Sequence, residues 1–329
     1  RNIDEIPWPE WPAGYLEKFW DAGKTAGAGF DRDIPMVLSR GCPYQCTFCS
    51  NPAMWTTRYI LRNADDAIAE IKHYLKTYAI SSIQLYDLTA ITKKKWLVEF
   101  CTRLLDEKID LKWSVPQGTR SEILDEESLT LLKKTGCHYL VYAPESGSPR
   151  TLSAIKKRVN LKALMKSAMT ARRLGIVIRC NLIIGFPGET RWDILKTAMF
   201  SLGAAIRGVD EVSVNLFSPY PGSELFNQVL DAGLIQMNDA YFLQLSSLNS
   251  DFSAFNPLTV NENIGRRELA AYRVMLLASN YLIGYLLYPK RIFRTIRNMR
   301  TSESATVFEH RIRDFLRNRE ERRRTASNA

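Results

Sequence analysis

Short apolar runs and longer amphipathic stretches take turns along most of this chain. The apolar runs fall at 35–41 (PMVLSRG), 81–87 (SSIQLYD), 111–119 (LKWSVPQGT), 139–147 (YLVYAPESG), 177–185 (VIRCNLIIG) and 211–220 (EVSVNLFSPY), and read as strands. Between them, 64–79, 93–108, 125–135, 161–174 and 191–207 read as helices. In 161–174 the apolar positions are Leu161, Leu164, Met165, Ala168 and Met169, steps of one, three and four that predict one buried helix face. Gly136, Gly175 and Gly208 stand where three of the helices should stop. Strand–helix alternation repeated this often predicts parallel βαβ units. Six strands fall short of a closed eight-stranded barrel, so the expected fold class is α/β, a partial (βα)6 TIM-like barrel with a helical C-terminal extension.

Outside this stretch the rhythm is absent. Residues 1–34 form a lead-in whose EIPWPEWPAGYLEKFW mixes prolines with aromatics, which suits a segment laid over a surface and not a helix. After the barrel (35–225) comes the helical extension (226–300), with SSLNSDFSAFN (246–256) as a polar loop and a long helix over about 265–286. A basic tail, 301–329, is expected to be disordered. The most apolar stretch, 274–288, includes Ser279 and Asn280 and is too short to span a membrane.

Composition narrows the classes. Hydrophobic residues make up 46% of the 329 positions, enough for a sizeable core. The net charge is +10, but residues 289–329 alone hold twelve Lys/Arg against five Asp/Glu, a net +7, which leaves +3 for the rest. A near-neutral body excludes a uniformly basic nucleic-acid surface. Six cysteines in a chain this long are not a secreted disulfide scaffold. With no signal peptide at the start, a cytoplasmic location is expected. The chain opens on Arg1 and reads as a fragment or a processed product.

Three of the cysteines, Cys42, Cys46 and Cys49, share SRGCPYQCTFCS (39–50) in a C-x3-C-x2-C spacing. Cys101, Cys137 and Cys180 are scattered in apolar surroundings and read as buried thiols. A structural zinc site wants four ligands in two close pairs, yet there is no second pair, and His73, His138 and His310 are distant. A redox C-x-x-C would leave Cys42 idle. An iron–sulfur cluster fits better: three thiolates hold three corners of a 4Fe–4S cube and leave the fourth iron open for chemistry. Phe48 would shield one side from water. Reactive residues of such a fold belong at strand C-terminal ends. The cysteine loop follows the first strand, Asp87 ends the second, Arg120 follows the third, Glu145 and Ser146 end the fourth, and GFPGE (185–189) ends the fifth.

RGCPYQCTFCS resembles the signature of the radical S-adenosylmethionine (SAM) superfamily, including the aromatic Phe48 before the last cysteine. The resemblance implies that Cys42, Cys46 and Cys49 hold a 4Fe–4S cluster and that SAM chelates its fourth iron. Reductive cleavage then yields a 5′-deoxyadenosyl radical that takes hydrogen from an unactivated carbon. It also implies SAM contacts. Glu145 and Ser146 match the fourth-strand motif, although Ala143-Pro144 stand where many relatives have a glycine two residues before the acid. The alternative role for Glu145 is to cap the next helix with Ser148. Arg120 and Arg179 are candidates for the SAM carboxylate. NLIIGFPGET resembles the fifth-strand motif, with Ile183 or Ile184 toward adenine and Gly185 allowing close approach.

IIGFPGET, PYPGSELF and IDEIPWPEWP further resemble the cobalamin-binding branch, which includes the anaerobic magnesium-protoporphyrin monomethyl ester cyclase and hopanoid methylases. In that branch a cobalamin domain precedes the barrel. No D-x-H-x-x-G occurs in this chain, so cobalamin is inferred from the family. In YPKRIFRTIRNMR (288–300), Arg291, Arg294, Arg297 and Arg300 step by three while Ile292, Phe293, Ile296 and Met299 fall on another face. That pattern suits peripheral contact with an anionic membrane, or else a solvated basic helix packed on the barrel. The expected function is cobalamin-linked methylation or rearrangement of a hydrophobic small molecule or lipid, with a flavodoxin- or ferredoxin-type electron donor. The alternatives are an RNA-modifying methylthiotransferase, which would carry a small β-barrel after the radical domain, and a non-catalytic iron–sulfur protein.

Overall fold

The computed structural model describes residues 2–23, 31–120, 123–247, 259–299 and 304–327. Most of the expected polar loop at 246–256, and Arg300, lie outside them. The strands in chain order are β1 (Asp33–Met36), β2 (Ser39–Arg40), β3 (Ile60–Leu61), β4 (Ser82–Leu85), β5 (Lys112–Thr119), β6 (Cys137–Glu145), β7 (Val177–Ile184) and β8 (Glu211–Leu216). Six of them make one sheet in the order β1-β4-β5-β6-β7-β8, every pair parallel, and β2 pairs antiparallel with β3. This is the expected partial barrel. One detail differs: the run 35–41 is not a single strand. The sheet strand ends at Met36, and Asp87 pulls the chain aside by accepting from Leu38 N (3.0 Å) and Ser39 Oγ. Pro35 sits in β1, an edge strand, where its missing N–H costs no ladder bond.

The helices are α1 (Tyr15–Asp21), α2 (Asn51–Trp55), α3 (Ala64–Tyr78), α4 (Lys94–Asp106), α5 (Glu126–Lys134), α6 (Pro149–Ala154), α7 (Leu161–Arg173), α8 (Arg191–Ile206), α9 (Glu224–Asp231), α10 (Asp239–Ser247), α11 (Arg266–Leu287), α12 (Lys290–Asn298) and α13 (Val307–Ser327). Local chemistry sets their starts. Asn63, Asp125 and Asn160 accept from Asp65 N, Ser128 N and Ala163 N, and Thr190 forms a capping box with Asp193. Strand β7 shows how the layers form: Ile178, Cys180, Leu182 and Ile184 are buried in the core, while Val177, Arg179, Asn181 and Ile183 alternate with them on the lumen face. Cys101, Cys137 and Cys180 are buried, and burial pushes the Cys101 and Cys180 thiols up to about 12.

Three expectations about the ends differ. The lead-in contains a helix, because YLEKFWD at α1 follows the last of the prolines and buries Leu16. The part before it does lie across a surface: Trp11 packs its ring against Tyr74 and Tyr78 at 5.4 and 5.7 Å. Helix α11 is long and apolar enough to cross a membrane by length and composition, contrary to the shorter stretch read from the sequence. The structure lays it instead against α8 and β8, burying Arg273 and Asn280 with Leu269 and Leu276. The tail expected to be disordered is helical from Val307, because Glu211 caps it: the carboxylate accepts from Val307 N and Phe308 N, both at 3.2 Å.

Candidate active site

The cysteine loop leaves the sheet through Gly41, whose φ is +79°; a Cβ there would stand 2.1 Å from the Arg58 carbonyl oxygen, so only glycine makes this turn. The loop is then tied on several sides. Thr47 N donates to Ile155 O (3.1 Å), and Thr47 O accepts from Leu225 N (2.9 Å). Cys49 N donates to Cys46 O at 3.1 Å. Asn51 donates from Nδ2 to Cys42 O (3.3 Å) and from its backbone N to Cys49 Sγ (3.5 Å). Cys42 Sγ lies 3.3 Å from Thr89 Oγ1. Phe48 packs on Phe186 at 5.7 Å between ring centres, and Phe186 on Phe217 at 5.0 Å.

All three thiols are free and half-buried. Burial pushes Cys46 and Cys49 up, neighbouring thiols push the same way, and Lys157 opposes. Such a set resists joint ionisation until a cation arrives, which is the donor chemistry of a metal cluster. Among the described residues, no three His, Cys, Asp or Glu side chains close on a single ion. A cubane asks for something different: one thiolate for each of three separate irons, spread round a pocket. The loop supplies three thiols and no fourth protein ligand, which fits a cluster with one iron open.

The strand ends converge on this loop unequally. Asp87 is buried and pushed up to about 6 by that burial; it holds the entry to the loop through Leu38 and Ser39. Arg120 is buried with its guanidinium 3.7 Å from the centre of the Tyr44 ring, and Nη2 donates to Arg158 O at 2.7 Å. Glu145 adopts φ +65° directly after Pro144, at a register shift between β6 and β7, and pairs with Lys157 Nζ at 3.0 Å. Both side chains of that pair are about nine-tenths buried, with relative exposures of 9% and 11%. Glu145 is not the cap of α6; Ser148 alone is. Ser146 is turned away, toward α8, with Oγ 3.0 Å from Thr197 Oγ1 and accepting from Ser148 N at 3.1 Å. Helix α8 presses on this turn closely: a Cβ on Gly147 would stand 2.6 Å from Lys196 O.

Ile183, like Phe48, packs on the apolar cluster that contains Phe186, whereas Ile184 faces the main core. Gly185 N donates to Glu189 Oε2 at 2.6 Å, and that buried carboxyl is pushed up to about 7. Arg179 is not brought to the loop. It is the third residue of β7, paired in register with Glu211, in the half of the strands farther from the cysteines. Sequence reasoning missed Lys157, Thr89, Asn51, Tyr44 and Glu189. Only Glu189, inside GFPGET, and Asn51 and Tyr44, beside the cysteines, carried a positional signal.

A half-open cavity of about 830 Å³ lies between the strands, α11 and α13, lined by Gln117, Arg179, Asn181, Glu211, Arg273 and Tyr281 among others, in the half of the strands farther from the cysteines. That is room for a sizeable small molecule.

Comparisons with known proteins follow this geometry. The Radical SAM superfamily matches residues 36–201, half of the chain. An uncharacterized methyltransferase of Pyrococcus horikoshii is 28% identical over 235 residues, 71% of this chain and 49% of that protein. The cytidylyl-2-hydroxyethylphosphonate methyltransferase of Streptomyces wedmorensis is 28% identical over 73% of this chain and 46% of its own length. The chain thus spans about half the length of these curated relatives. Among solved structures, the radical SAM methyltransferase TsrM of Kitasatospora setae, with cobalamin and a [4Fe-4S] cluster bound, superposes with a TM-score of 0.52 at 19% identity, covering 60% of this chain and 39% of that one. The cobalamin-dependent radical enzyme OxsB with aqua-cobalamin bound gives 0.54 at 13% identity, over 80% and 49%. At these identities the two structures speak for the fold.

Proposed function

This chain belongs to the radical SAM superfamily and is a radical SAM enzyme, and from that premise we propose that it carries out cobalamin-linked methylation or rearrangement of an unactivated carbon in a hydrophobic small molecule or lipid. The observation that carries the reading is the placement of three free, half-buried thiols on one tied loop at the strand ends of a partial barrel. When bound, the 4Fe–4S cluster supplies the electron that splits the sulfonium of SAM into methionine and a 5′-deoxyadenosyl radical, which takes hydrogen from the substrate.

The chain's own residues do the rest. Cys42, Cys46 and Cys49 hold the cluster. Lys157 and Glu145, paired beside the thiols, offer a cation and an anion to the zwitterionic end of SAM. Arg120 stiffens the loop by clamping Tyr44. Phe48 and Phe186 close one side with apolar surface, which keeps water from that side of the site. Named methyltransferases among the relatives support the methylation branch. A cobalamin site belongs to the whole protein, as does a flavodoxin- or ferredoxin-type donor. The RNA-modifying alternative loses support because α9 to α13 follow β8 with no further strand among the described residues.

The test is anaerobic reconstitution with iron and sulfide, addition of SAM and dithionite, and chromatography for 5′-deoxyadenosine. Its formation, lost in Cys46→Ala, is expected; a full iron load with no cleavage of SAM by the whole protein would sink the enzyme reading.

A further inference from the structure

Helix α12 sits the opposite way round from an ordinary surface helix. Two of its arginines turn inward: Arg294 Nη1 pairs with Asp210 at 2.9 Å, and Arg291 donates to Gly208 O and Val209 O at 2.7 and 3.1 Å. The apolar stripe turns outward, with Phe293 72% and Ile296 48% exposed. Its neighbours do the same. Past its first turn, the exposed positions of α11 are Ala271, Val274, Met275, Ala278, Leu282, Leu286 and Leu287, all apolar. Those of α8 are Trp192, Leu195, Met199 and Ile206, with Arg191 at the start.

The two long helices run side by side and parallel, linked at three levels: Arg191 to Glu268 (2.6 Å), Asn280 to Ser201 (2.5 Å), and Tyr288 Oη to Ile206 O (2.6 Å). Their outer stripes therefore lie side by side, and α12 continues from α11 through Tyr288 and Pro289 with its own apolar stripe outward. Counting α12 from Ile292 to Met299, thirteen large apolar side chains on these three helices are each more than a third exposed. A monomer in water rarely leaves so much contiguous apolar surface uncovered.

The charge around it names the occupant. Residues 191–207 and 266–299 together hold ten Lys/Arg and two Asp/Glu. Both acids are engaged, Asp193 by Arg150 and Glu268 by Arg191. Lys290, Arg297 and Arg207 border the apolar stripes and are exposed. Of the ten, Arg191, Arg291 and Arg294 are engaged by Glu268 and Asp210 and Arg273 is buried, but a second copy of the same face would still set Lys290, Arg297 and Arg207 against their own kind.

We propose that α8, α11 and α12 form a face that docks on an anionic lipid bilayer, with the helices lying in its interface. Apolar side chains enter the acyl boundary, and the bordering cations meet lipid phosphates. Val274 and Ala278 of this face also line the lumen cavity, so a single helix separates the bilayer from the lumen. The inference does not depend on the reaction catalysed.

The experiment is flotation of the purified chain with vesicles of phosphatidylcholine alone and of phosphatidylcholine mixed with phosphatidylglycerol. Binding to the mixed vesicles is expected, weakening with salt. Phe293→Asp should lower partitioning at least ~tenfold. Lys290→Gln should lower it about fivefold. Leu105→Asp, at an exposed position on α4, should leave it unchanged. Circular dichroism of Phe293→Asp should match the parent. No binding to mixed vesicles, equal binding to both vesicles, or a soluble dimer that Phe293→Asp dissociates would each overturn the proposal.

Discussion

The barrel holds a polar cluster in each half of its strands, and the two are built on opposite terms. At the C-terminal ends, three thiols stand together with only Lys157, itself paired with Glu145, to offset their charge, while Asp87 is fixed by backbone donors. In the other half, a buried carboxylate is satisfied by neutral donors. Glu211 accepts from Val307 N, Phe308 N, Tyr281 Oη (2.9 Å) and Tyr139 Oη (3.4 Å), with Arg179 opposite it in the ladder. Buried polar groups are the rule when partnered and informative when not. The cysteine cluster is incomplete without a ligand, whereas Glu211 completes the fold.

The sharpest way to break this contrast is to remove a thiol. Cys42→Ala, Cys46→Ala and Cys49→Ala should each abolish cluster binding, measured as iron per chain after anaerobic reconstitution, while Cys101→Ser, Cys137→Ser and Cys180→Ser keep their iron. Next, Glu211→Ala should cost about 3 kcal/mol in urea unfolding, because it strips several buried donors of their acceptor at once. It should also expose α13 to protease while iron content holds. Lost iron in that variant would mean the two clusters are coupled. Lys157→Met should keep the iron but slow cleavage of SAM about tenfold, a change of about 1.4 kcal/mol; an unchanged rate would remove Lys157 from the site.

The smallest effect concerns Glu189. Burial raises its carboxyl from the ordinary 4.5 to about 7, so its contribution to stability is full below pH 4.5 and is lost as pH rises through about 7. Glu189→Gln should flatten that part of the stability–pH curve by on the order of 1 kcal/mol.

Most of the sheet and the helices packed on it were legible because burial on one face enforces a period. The five helices expected between the strands end within two residues of their predicted bounds. What period cannot show is where a chain is bent by a distant partner. Asp87 splits the run 35–41, and Glu211 makes a helix of a segment whose charge pattern reads as solvated tail. In the site, the cysteines were legible from spacing alone. Lys157 was not, since one lysine among neighbours carries no signal until the fold sets it beside Glu145. Arg179 was misplaced for a simpler reason. Alternation correctly puts it in the lumen, but its depth depends on counting: five residues before Ile184, at roughly 3.3 Å each, set it about 16 Å below the strand end.

The Glu211 cap also has a consequence for biosynthesis. The carboxylate and the Val307 amide it accepts from are 96 residues apart in the chain. At roughly 5–20 residues per second, a ribosome needs about 5–20 s to deliver one after the other. For that interval the Glu211 carboxylate has been made but its α13 partners have not, and the α13 side of the cavity has no wall. Of the elements described, α13 is thus the last to reach the sheet.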